Sequence, residues 1–169
     1  MKKIALQLLL AFTTIIAMAQ NGSSHLPFMG IPLDGNFNSF VQKLKTKGFQ
    51  LQEKHGSYVI MTGVFSGNNV ELRVFSTPKS NIACGVSVVY PASDNYQFMY
   101  EKYSSIKQNL IRKYGQGVSE GTGIGWPLQN GDILLELESN PQYGLHRIKL
   151  LYSDKINQKK MESESNDDL

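Results

Sequence analysis

Apolar residues recur along this chain in two rhythms. Phe37, Phe40, Val41 and Leu44 fall at i, i+3, i+4 and i+7, and Met99, Tyr103, Ile106, Leu110 and Tyr114 form a second stripe of helical period. Each stripe predicts an amphipathic helix. Asn36 or Asp34 suits the start of the first helix, and Pro91-Ala92-Ser93-Asp94 offers caps ahead of the second. Gly48 and Gly115 stand where helices commonly end in a left-handed residue. The other rhythm has period two. Phe49 to Glu53, Val70 to Val74, Ile82 to Tyr90, Ile133 to Glu138 and Arg147 to Tyr152 alternate, and Ser57 to Phe65 is rich in β-branched and aromatic residues. Turn signals at His55-Gly56, Ser66 to Asn69, Thr77 to Asn81, Asn130-Gly131 and Ser139 to Gly144 separate these expected strands. Gly117 to Gly125 reads as a loop, with a short strand near Ile124-Gly125-Trp126.

The fold class this predicts is α+β: one antiparallel sheet, two helices on one face, and the other face at least partly open. The order of helix then strands occurs twice, which suggests a tandem αβββ pseudo-repeat. Alternation assigns Glu71, Arg73, Phe75, Ser87, Val89, Glu136, Glu138, Arg147 and Lys149 to the open face.

The two ends follow neither rhythm. Met1-Lys2-Lys3 is basic, Ile4 to Met18 is apolar apart from Gln7, Thr13 and Thr14, and Ala17-Met18-Ala19 is a small-x-small triplet. These are the three parts of a cleavable secretory signal, with the cut expected between Ala19 and Gln20. The apolar run is short for a bilayer span, and no cysteine follows the cut to carry a lipid. The expected organisation is therefore a signal peptide at 1–19, a linker at 20–27, one domain at 28–153 and a flexible polar tail at 154–169. It implies a product in the periplasm or outside the cell, with no membrane insertion after cleavage.

Charge and cysteine content narrow the classes further. The formal net charge of +3 falls to +1 without Lys2 and Lys3, so nothing argues for nucleic acid as a partner. Cys84 is the single cysteine, so packing rather than an internal disulfide must stabilise the domain.

No local pattern assigns a catalytic residue, a metal or a cofactor. Cys84 shares its strand parity with Val86 and Val88 and reads as a buried thiol, not a nucleophile. His25, His55 and His146 form no ligand pair of zinc spacing. Gly121-Thr122-Gly123-Ile124-Gly125 lacks the following helix that a phosphate loop needs. Glu136 and Glu138 read as solubilising charges that pair with Arg147 or Lys149 across a hairpin. The residues left as candidates for a binding surface are Arg73, Phe75, Trp126, Tyr143 and Arg147, because exposed aromatic and arginine side chains are the usual anchors of interfaces.

Two resemblances add to this reading. The leader ending in Ala-Gln, the segment Phe28-Met29-Gly30-Ile31-Pro32-Leu33-Asp34-Gly35 and the Phe-rich helix after it resemble a group of short secreted proteins of Gram-negative gut bacteria. That likeness implies an extracytoplasmic address. The doubled order of elements is similar to the β-lactamase-inhibitor-protein fold, whose two halves form a curved sheet that grips a partner. That likeness is one of architecture and carries no residue roles. The function expected is a secreted, non-catalytic protein-binding module, inhibitor-like or an envelope accessory, whose partner is another extracytoplasmic protein. A hydrolase with a site assembled across the fold is one alternative. A structural protein that self-assembles through strand edges at Phe49 to Glu53 and His146 to Tyr152 is the other.

Overall fold

The computed structural model describes residues 24–166. The expected leader and the first residues of the expected linker lie outside the described residues. The elements run β1 (Pro27–Phe28), β2 (Ile31–Pro32), α1 (Phe37–Thr46), β3 (Gln50–Lys54), β4 (Tyr58–Phe65), β5 (Asn68–Ser76) and β6 (Ala83–Val89). They continue with α2 (Tyr96–Tyr114), β7 (Val118–Glu120), β8 (Gly123–Leu128), β9 (Gly131–Asn140), β10 (Leu145–Asp154) and α3 (Lys155–Asn166). The fold is α+β with a large antiparallel sheet, as the two rhythms predict.

The eight strands of that sheet lie in the order β3-β4-β5-β6-β10-β9-β8-β7, all antiparallel. Each half is a helix followed by a four-strand meander, and the halves meet where β6 pairs with β10, with Val88 opposite Leu150. β10 is thus a central strand. The expected edge at His146 to Tyr152 does not exist, because β6 covers one side of it and β9 the other. The edges are β3 and β7. β3 carries Gln50, Gln52, Glu53 and Lys54 and a register shift between Leu51 and Glu53, and β7 has three residues. Short, charged or bulged edges resist pairing with a second sheet.

The core lies on one face of the sheet. Leu72, Val74, Val86, Val88, Ile133 and Leu135 are fully buried there, and Phe37, Phe40, Val41 and Leu44 of α1 and Met99 and Leu110 of α2 join the same cluster. The side chain of Asn36 caps α1 and that of Asn95 caps α2. Gly48 and Gly115 follow them with φ of +93° and +84°. A side chain bearing a Cβ is strained at such angles, which is why glycine stands there.

Both ends of the domain depart from expectation. Leu26, near the end of the expected linker, is about 1% exposed, like Phe28 at the start of the expected domain. Residues 167–169 lie outside the described residues, and from Lys155 to Asn166 the expected flexible tail is the helix α3. Its inward positions are Asn157, Met161 and Glu164, and two of the three are polar. Asn157 Nδ2 donates to the carbonyls of Leu33 at 2.5 Å and Ala83 at 3.2 Å. Glu164 accepts from the main-chain N–H groups of Lys79 and Ser80 at 2.8 and 3.0 Å and from the Ser80 hydroxyl at 2.5 Å. A helix held by hydrogen bonds has no apolar stripe to read, so its composition resembles that of a disordered segment.

Candidate binding surface

The sheet face away from the core carries the residues that alternation assigned to it. Register places Arg73 opposite Ser87 and Glu71 opposite Val89 between β5 and β6, and Lys149 opposite Val89 between β10 and β6. Phe75 lies against Gly85 and beside Tyr58, whose ring centroid is 6.0 Å away and which stacks on His55 at 4.4 Å. One corner of the face is therefore aromatic.

Charge pairing on this face is uneven. Arg73 Nε donates to Glu71 at 2.8 Å, and Lys149 Nζ donates to Glu138 at 2.5 Å. Arg147 stands directly opposite Glu138 in the register, yet Lys149 takes that carboxylate. Among the described residues no carboxylate pairs with Arg147, and its side chain is exposed. An unpaired guanidinium on a rigid central strand keeps its planar fork of donors for an incoming carboxylate.

Arg147 also joins two hollows. One, of about 720 Å³, runs over the open face and is lined by Lys47, Thr62, Glu71, Arg73 and Arg147 among others. The second, of about 900 Å³, lies by the β9–β10 turn and is lined by Leu137, Ser139, Pro141, Tyr143 and Arg147. Tyr143 is 66% exposed at the tip of that turn. The structure thus brings Arg73, Arg147 and Tyr143 to adjoining surfaces and puts Phe75 farther along the same face.

Trp126 does not belong with them. The expectation of an exposed anchor is corrected: Trp126 lies in β8 opposite Ile133, is 2% exposed, and donates its indole N–H to the Gly115 carbonyl at 2.9 Å. Gly117 packs so closely here that an added Cβ would stand 2.5 Å from Ile124 Cγ2 and 2.9 Å from the indole. The glycines that superficially resemble a phosphate loop serve the sheet instead. Gly123 and Gly125 are β8 residues, and Gly123 admits the Leu135 carbonyl 2.5 Å from where its Cβ would be.

The residues weighed for chemistry are dispersed. Cys84 is 1% exposed with Sγ 3.6 Å from Met161 Sδ, and burial pushes its thiol up to about 11. A thiol so held stays protonated at neutral pH and is a poor nucleophile. It sits at a register shift between β5 and β6, where Ser76 pairs with Ala83, and so meets α3 rather than the main core. His25 Nδ1 lies 3.1 Å from Asp154, and His55 Nε2 lies 3.1 Å from Glu53. His146 Nδ1 is 2.8 Å from Ser139 Oγ, a cross-strand pair that spacing did not reveal, since the two are neighbours only through the hairpin register. No carboxylate engages His146 among the described residues. No three His, Cys, Asp or Glu side chains gather as metal ligands there, and no described helix is long and apolar enough to cross a membrane.

Comparison with known protein families, with curated proteins and with solved structures finds no match for this chain.

Proposed function

We propose that this chain is a secreted, non-catalytic protein-binding module that receives another extracytoplasmic protein on the open face of its large sheet. The single observation that carries this reading is Arg147, an exposed guanidinium without a carboxylate partner, fixed on a central strand between two hollows. Arg73, Phe75 and Tyr143 extend the same surface, which combines one cationic anchor, aromatic area and a polar surround. That combination suits a protein interface better than a lipid surface. The leader pattern of residues 1–19 supports the extracytoplasmic address. The partner expected presents an acidic side chain to Arg147.

The test is affinity capture from envelope and extracellular fractions with the native protein and with Arg147→Glu. The reading expects a partner whose affinity falls at least about tenfold on charge reversal, equivalent to about 1.4 kcal/mol. A control reversal at Lys107 on α2 leaves it unchanged. Capture insensitive to Arg147, Arg73 and Tyr143 overturns it.

One observation favours the hydrolase alternative, the 2.8 Å contact between Ser139 and His146. A nucleophile needs a base that is itself oriented by a third group. Labelling of the native protein by a fluorophosphonate, lost in Ser139→Ala, would replace the binding-module reading.

A further inference from the structure

The helical side of the sheet carries a recess of its own. It opens between α2 and the β1–β2 hairpin and has a volume of about 680 Å³. That lies within the range of roughly 300–1,000 Å³ typical of small-ligand sites. Met29, Phe65, Ile106 and Leu150 supply apolar walls, and the phenols Tyr90, Tyr114 and Tyr152 line it as well. The recess accounts for part of an irregularity in α2. Met99 and Leu110 are buried, but Ile106 and Tyr114 of the same stripe, which line the recess, are only partly covered.

Two features distinguish this recess from an ordinary packing gap. First, Tyr90 and Tyr152 are 1% and 7% exposed, yet neither hydroxyl has a hydrogen-bond partner among the described residues. No fully enclosed side-chain polar atom there is without a partner, so these hydroxyls reach open space. A buried phenol normally finds a partner. Second, two lysines of α2 stand at the rim. Lys102 Nζ lies 5.9 Å from the Tyr90 ring centroid and 4.9 Å from that of Phe98, and Lys113 Nζ lies 4.9 Å from that of Tyr114. Neither lysine pairs with a carboxylate among the described residues. Eleven residues apart, they share one face of the helix about 16 Å from end to end.

We propose that this recess is a binding site for a small apolar carboxylate, an acyl or aryl acid whose body lies between Met29, Ile106 and Leu150 and whose carboxylate meets a tyrosine hydroxyl and a rim lysine. The phenols suit the role of donor. Burial pushes Tyr90 up to about 12 and Tyr152 higher still, so both keep their O–H at any physiological pH. A neutral apolar ligand would leave the hydroxyls and both ammonium groups without a partner. A polar anion with no apolar body would leave the walls wet. The recess shares only Tyr90 with the hollow over the open face and none of Arg73, Tyr143 and Arg147, so its occupation and partner capture are tested by different variants.

The experiment is calorimetric titration of the full protein with straight-chain acids of eight to twelve carbons and with their methyl esters. Expected is one saturable site whose affinity falls about fourfold for each methylene removed, the transfer value of a buried CH2. The methyl esters should bind at least tenfold more weakly. Ser105→Trp, at an exposed position on the recess wall, should abolish binding with the melting temperature unchanged, and the double variant Lys102→Gln/Lys113→Gln should weaken it about tenfold. Absence of binding, equal affinity for acid and ester, or binding untouched by Ser105→Trp each overturns the proposal.

Discussion

Asp154 accepts the main-chain N–H of Leu26 at 2.7 Å, across 128 residues of sequence. Its other oxygen accepts from the main-chain N–H of Asn157 at 2.9 Å and lies 3.1 Å from His25 Nδ1. A single fully buried carboxylate therefore caps α3 and clamps the N-terminal lead-in at the same point. Asp154→Ala strands two main-chain donors and removes a cap. A lost cap costs about 1 kcal/mol and an unsatisfied buried donor about 1–3 kcal/mol. The expected loss in urea unfolding is about 2–4 kcal/mol, with Asp154→Asn losing less because one acceptor oxygen remains.

The attachment of α3 should depend on acid. The Ser80 hydroxyl, followed by the main-chain donors of Ser80 and Lys79, holds the Glu164 carboxyl below its ordinary value. A carboxyl lowered on folding contributes stability that is present above its unfolded pKa of about 4.3 and is lost as pH falls through the folded value. Stability measured from pH 7 to pH 3 should decline for the native protein, and the decline should be shallower in Glu164→Gln. Equal slopes would show that Glu164 does not anchor the helix.

Cys84 provides a reporter for the same event. Its Sγ lies against Met161 of α3, and its thiol is held protonated by burial. At pH 8 a disulfide reagent should label it slowly in the native state. Labelling should accelerate in Glu164→Gln, where the helix opens more often, in proportion to the opening equilibrium. A rate unaffected by that variant would place the limiting motion elsewhere.

Trp126 and Tyr143 should separate cleanly. Trp126→Ala removes a buried indole and its bond to the Gly115 carbonyl, so a loss of about 3–5 kcal/mol is expected. Gly117→Ala should cost about 1–3 kcal/mol, since its methyl meets Ile124 and the indole. Tyr143→Ala, at an exposed turn tip, should move stability by no more than about 0.5 kcal/mol while weakening partner capture. A stability loss from Tyr143→Ala comparable to that of Trp126→Ala would make the turn structural.

Where burial is apolar and periodic, the pattern reads directly. All four residues of the α1 stripe are buried, and the alternation of β5, β9 and β10 assigns their two faces correctly. Arg147 was legible as a charge on the open face, but its unpaired state was not, because a register cannot say which of two cations takes Glu138. α3 escaped notice because hydrogen bonds from Asn157 and Glu164 leave no periodic signature. The burial of Trp126 was not legible because its Gly-rich flank and Pro127 suggest a short strand beside an open loop, whereas both are tolerated within the six-residue β8. Pro127 pairs with Asp132 there, and the glycines make room for the neighbouring strand. The recess beside α2 draws its walls from segments scattered between Pro27 and Tyr152, and no local window contains it.

The seam between β6 and β10 has a consequence for how the molecule is made. A ribosome delivers the chain from its N-terminus, and the strand that joins the two meanders is the last of the described strands to emerge. Until Leu145 to Asp154 is available, β6 and β9 both present bare edges, and Leu26 has no carboxylate to fasten it. A nascent chain that ends before β10 lacks the strand that joins its two meanders, so any edge formed there is open to mispairing. The native state of this domain becomes reachable only once β10 has emerged, so any factor that guards it during biogenesis must act on a chain whose central strand is still missing.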